Sequence, residues 1–119
     1  MINVDNDKLL ELAAAAREKL KPFCASSIQD GKFSKLKRIG KRFVLDNKPW
    51  NPLVSDSDAL CLSVWLKIDL LFRENSVTAI RSDNKTISFD EKFADTNIFH
   101  ATRRAIVRAA ASIEYLQTE

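Results

Sequence analysis

"KIDLLFRENSVTAIRSDNKTISFD", residues 67–90, decides the fold. Ile68, Leu70 and Phe72 alternate with their neighbours at the two-residue period of a strand. "SVTAIRS" (76–82) and "KTISFD" (85–90) repeat the pattern and are rich in β-branched and aromatic side chains. Glu74–Asn75 and Asp83–Asn84 separate the three runs. Connections this short join strands only as antiparallel hairpins. The spacing therefore predicts an antiparallel meander over 68–90.

Helical periodicity takes over on either side. In "SDSDALCLSVWLK" (55–67), Ser55 and Asp58 stand at capping-box spacing. Ala59, Leu62 and Leu66 form the core stripe, while Leu60, Val64 and Trp65 add apolar surface elsewhere. Such a helix is covered on more than one side, by residues 1–50 or by a partner. Downstream, "DEKFADT" leads into a closing helix, with Asp95 or Thr96 expected as its cap. Within "ATRRAIVRAAASIEYL" (101–116), Ile106, Ala109, Ala110 and Ile113 share one face at 100° per residue. Arg104 and Arg108 point the opposite way and are expected to be largely exposed, with Arg103 on the flank. They form either a solvated face or a clamp at i, i+4 for phosphate or a partner's carboxylates.

Residues 5–21, "DNDKLLELAAAAREKLK", predict an N-terminal helix with Leu9, Leu12, Ala13, Ala16 and Leu20 along one stripe and Pro22 as its stop. "DGK" (30–32) is a turn signal. Phe33, Leu36 and Ile39 suggest a short helix ended by Gly40, followed by "RFVLD" (42–46) as a short strand or extended approach. Pro49 and Pro52 bar both helix and central strand around Trp50.

"WNPLVSDSDAL", the meander, and "FADTNIFHATRRAIVRAAASI" together resemble the phage ABA sandwich domain family. The likeness covers about residues 49–117 and lies in a proline-containing lead-in, an acidic-capped helix and an "A-I-x-R-A-A" core, here Ala105, Ile106, Arg108, Ala109 and Ala110. It implies a phage or prophage product with an α-β-α layered domain and no known catalytic residues. The expected fold is thus α+β, a three-layer α-β-α sandwich with a small antiparallel sheet and an added N-terminal helix. One domain spans 1–119, with residues 1–48 as a helical and basic extension outside the likeness.

Composition narrows the function. The chain has 119 residues, 45% of them apolar, enough for a single packed core. No apolar run approaches the 18 or more residues of a membrane span, and "MINVDNDKLL" has acids where a signal peptide needs basic residues. A cytoplasmic protein is expected, in the infected or lysogenic host cell on the family likeness, with Cys24 and Cys61 as free thiols. His100 is the sole histidine and Gly31 and Gly40 the sole glycines, so no metal cluster, phosphate loop or nucleophile–base pair is legible. No enzymatic activity and no cofactor are expected. Net charge is +3, but residues 17–48 carry ten Lys/Arg against three Asp/Glu, leaving +7 there and −4 elsewhere.

The candidate partner- or anion-binding residues are Lys35, Lys37, Arg38, Lys41 and Arg42, then Trp50, and finally Arg104 and Arg108. Cations beside Phe33 and Phe43 suit nucleic-acid backbone and bases, although a charge run is more often a solvated face. Trp50 either plugs the core edge or anchors a partner. The favoured expectation is a protein-binding accessory factor acting on a host protein, with a homodimer also expected. The alternative is a nucleic-acid or nucleotide binder using 32–42.

Overall fold

The computed structural model describes residues 6–19, 36–40, 42–45, 48–82, 87–93 and 97–118. Three helices and two three-stranded antiparallel sheets make an α+β sandwich. Chain order is α1 (Asn6–Lys19), β1 (Leu36–Ile39), β2 (Arg42–Leu45), β3 (Lys48–Trp50), α2 (Asp56–Leu66), β4 (Ile68–Phe72), β5 (Ser76–Arg81), β6 (Ser88–Lys92) and α3 (Ile98–Thr118).

The meander forms with the order β4-β5-β6 and the expected hairpin at Glu74–Asn75, closed by Arg73 N–H to the Ser76 carbonyl at 2.8 Å. Leu70, Ala79 and Phe89 lie side by side in register, as do Phe72, Val77 and Glu91. These rows share the face that packs on α3, and Val77 and Ala79 are wholly buried. The opposite face carries Asp69, Leu71, Thr78 and Asp90, as the period of two requires.

α3 is the middle of the stack. Sheet β4-β5-β6 lies on one side of it, while α1 and α2 pack against its other sides. Ala101, Ala105, Ile106, Val107, Ala109, Ala110, Ala111 and Ile113 are all buried, so this helix is covered nearly all round. Small side chains permit that: Ala13 and Ala16 of α1 are also fully buried, and alanine on both helices lets backbones approach closely while costing no helix propensity. α3 begins at Asn97, whose side-chain oxygen accepts the His100 N–H at 2.6 Å. The cap thus falls at Asn97, while Asp95 and Thr96 lie outside the described residues. α2 opens as expected, with the Ser55 hydroxyl accepting the Asp58 N–H at 3.2 Å. The Asp58 carboxylate reaches further back, to the Asn51 N–H at 2.9 Å, and so ties the lead-in to the helix. Lys67 ends α2 in the left-handed conformation, φ 57°, and turns the chain straight into β4.

The helix expected around residues 33–39 is not formed by 36–39. Leu36–Ile39 is a strand, paired with β2 in a hairpin that turns at Gly40. Gly40 has φ +63°, the conformation that primed two-residue hairpin turns demand at their first position. A helix C-cap glycine uses the same conformation, so the residue type alone could not separate the two. Packing separates them. As a strand, Leu36 shares a face with Phe43, Leu45 and Trp50, and this face lies on the core. Pro49 sits in β3 at the edge of this sheet, where its missing N–H costs no ladder bond.

Among the described residues, no helix is long and apolar enough to cross a membrane.

Candidate functional site

The basic segment is divided by the strand period. Lys37, Ile39, Arg42 and Val44 share the face turned away from the core, with Lys37 and Arg42 exposed. Arg38 falls on the other face: its guanidinium lies 3.7 Å from the Glu11 carboxylate of α1, 5.8 Å from the Phe43 ring centroid, and donates from Nε to the Gly40 carbonyl at 2.9 Å. A cation so placed braces the hairpin against α1. Lys35 and Lys41 lie outside the described residues.

Trp50 is a core residue. It is 3% exposed and meets Phe43 edge-on, with ring centroids 6.0 Å apart and planes at 78°. A side chain this deeply packed does not anchor a partner. Beside it, an open groove of about 490 Å³ is lined by Asp7, Leu10, Ile39, Arg42, Pro49 and Val54, among others.

Arg104 and Arg108 are less exposed than expected, at 34% and 17% of their side chains. Both converge on Glu91 of β6. Arg108 donates to its carboxylate, and Arg104 Nε lies 3.7 Å away. Arg108 also covers the Phe89 ring at 5.0 Å and donates to the Asp90 carbonyl at 3.2 Å. Arg104 donates to the Asn6 side chain at 2.7 Å, linking α3 to the start of α1. The physical reason is the burial of α3 on nearly all sides, which leaves no wholly solvated face for the arginines. The i, i+4 clamp exists, and its occupant is the protein's own carboxylate. Arg103, on the flank, donates to the Leu53 carbonyl at 2.9 Å and to Asp56 at 2.6 Å, pinning the lead-in of α2 to α3.

The feature least legible in the sequence is apolar. Leu60 of α2 is 61% exposed and Phe99 of α3 is 64% exposed. They flank a shallow pocket of about 200 Å³, lined also by Ala59, Leu70, Thr102 and Ile106, with Asp56 and Arg103 on it as an ion pair. Val64 on α2, Phe72 on β4 and Ile98 at the start of α3 are exposed as well. The excess apolar surface of the 55–67 helix signalled its α2 portion. Phe99 sits in the first turn of α3, outside the stripe that the helical phase assigns to the core, and no local pattern pointed to it.

His100 is exposed, and no group of three or more His, Cys, Asp or Glu that could hold a metal occurs among the described residues. Cys61 is a free, exposed thiol on α2, and Cys24 lies outside the described residues. No protein-family model, curated protein or solved structure matches this chain.

Proposed function

We propose that this chain is a non-enzymatic protein-binding module, an accessory protein of the phage or prophage kind that its motifs resemble, which docks a host protein. The observation that carries the reading is the apolar pocket between α2, β4 and the first turn of α3, with Leu60 and Phe99 exposed at its rim. Large apolar side chains held on the surface around a concave, apolar floor have the composition of an interface core. The neighbouring Asp56–Arg103 pair supplies a polar edge.

The nucleic-acid alternative draws on a thinner observation. Of the described candidate cations, Arg38, Arg104 and Arg108 face carboxylates of the chain itself. Lys37 and Arg42 remain as an exposed pair on one strand face.

The test is capture from host lysate at high salt, comparing the native chain with Leu60→Asp/Phe99→Asp. A host protein retained by the first and lost by the second is the expected result. Retention indifferent to the substitutions would overturn the reading. Recovery of nucleic acid that disappears as salt rises would favour the alternative.

A further inference from the structure

An antiparallel sheet leaves a row of backbone groups open at each edge, and proteins usually block such edges with charges, proline or a covering side chain. Three of the four edges of the sheets among the described residues are blocked in these ways. β1 carries Lys37 and Arg38, and β3 carries Pro49. β6 holds Asp90, Glu91 and Lys92, and Arg108 donates to the Asp90 carbonyl. Phe93 N–H bonds the Asn75 carbonyl at 3.0 Å, so alternation turns the Asp90 carbonyl outward, and the arginine caps the free edge itself.

β4 differs. Its sequence, Ile68-Asp69-Leu70-Leu71-Phe72, has no proline and one charge. The bonds from Arg73 N–H to Ser76 and from Ser82 N–H to Lys67 set the phase of its ladder. Lys67, Asp69, Leu71 and Arg73 direct their backbone groups toward β5, so those of Ile68, Leu70 and Phe72 face outward. Among the described residues, no strand pairs with that edge. Leu71 and Phe72 are exposed, at 44% and 56%.

We propose that the open edge of β4 pairs with β4 of a second copy of this chain across a two-fold axis at Leu71, joining the two meanders into one continuous antiparallel sheet. Among axes at the three interior residues of the strand, charge complementarity selects the register. An axis at Asp69 sets that carboxylate against its own copy, and an axis at Leu70 sets Lys67 against Arg73. With the axis at Leu71, Asp69 stands opposite Arg73 of the second copy on both sides of the axis, and Leu71 stands opposite itself. Arg73 donates to Thr78 at 2.6 Å and lies 3.9 Å from Asp90 within its own chain, but its side chain is 54% exposed, so Asp69 joins it as a further carboxylate. Leu70 then forms a hydrogen-bonded pair with the second copy's Phe72. That places a phenyl ring beside Leu70, a wall of the pocket rimmed by Leu60 and Phe99. With one open edge among the described strands, growth stops at a closed dimer. The proposal rests on reading this face as a protein-binding surface and names its first partner.

The experiment uses the full chain with Cys24→Ser and Cys61→Ser. Leu71→Cys should form an intermolecular disulfide on mild oxidation, because residues opposite in a non-hydrogen-bonded pair lie about 4.5 Å apart at Cα, inside the disulfide range of about 4.4–6.8 Å. Sedimentation should show a monomer–dimer equilibrium for the native chain. Asp69→Arg should weaken it by roughly tenfold or more through paired like charges, and Asp69→Asn, which removes the attraction without adding repulsion, should weaken it less. A native chain that is monomeric at high micromolar concentration overturns the proposal, as does a folded Leu71→Cys chain that stays monomeric on oxidation. Host-protein capture that depends on Leu60 and Phe99 while self-association is absent would remove this inference and leave the broader reading standing.

Discussion

Glu91 organises more of the molecule than its place in "DEKF" suggests. Its carboxylate, 17% exposed, receives Arg108 and lies 3.7 Å from Arg104, and through them β6 is held to α3 and α3 to Asn6. Partly buried charges need their partners, since the desolvation cost remains when one partner is removed. Arg108→Ala should therefore destabilise the fold by about 1–3 kcal/mol, well beyond the roughly 0.5 kcal/mol of a freely solvated side chain. In a urea-unfolding double-mutant cycle with Glu91→Gln, the second substitution should recover part of the loss. Additive effects would show that the pair is not coupled. Ile106, 3% exposed beneath the pocket, answers to packing instead, and Ile106→Ala should cost about 2–5 kcal/mol in the same assay.

At the scale of the element, the β1–β2 hairpin depends on one backbone conformation. Gly40 has φ +63°, and a Cβ built there meets nothing within 4 Å. The cost of a side chain at this position is then conformational, with no clash added. Gly40→Ala should destabilise by about 1–2 kcal/mol, and Gly40→Asn by less, because asparagine tolerates the left-handed region. Equal losses for the two, measured by thermal unfolding, would mean that the turn has another constraint. α2 offers a parallel case. Ser55→Ala removes the acceptor of the Asp58 N–H and should cost about 1 kcal/mol.

Over the whole molecule, core and surface are unevenly apportioned. Alanines of α1 and α3 occupy the most buried positions, whereas Leu60, Phe72 and Phe99 stand in solvent. Folding does not call for these exposed side chains. Leu60→Asp and Phe99→Asp should leave the unfolding free energy within about 0.5 kcal/mol of the native value while abolishing partner capture. A chain that loses its cooperative unfolding transition on this change would show the pair to be structural.

The sequence by itself determined those features whose causes are local. The two-residue period and short polar breaks specify the β4–β6 meander, and Ser55 specifies where α2 begins. The continuous alanine-rich stripes specify α1 and α3 as helices. Tertiary structure decided everything that hangs on which faces meet. Residues 36–39 match helical spacing through Leu36 and Ile39, yet Leu36 shares a core face with Phe43 and Trp50 only when the segment is a strand. The arginines of α3 lie opposite its apolar stripe by phase, but whether they meet water depends on Glu91, which the pairing of β6 with β5 carries to them. The exposed pocket is of the same kind, since Leu60, Leu70 and Phe99 belong to three elements and adjoin one another only because α3 packs against both α2 and β4. Periodicity states which residues share a face. Long-range packing, whose contacts join residues far apart in the chain, states what each face touches.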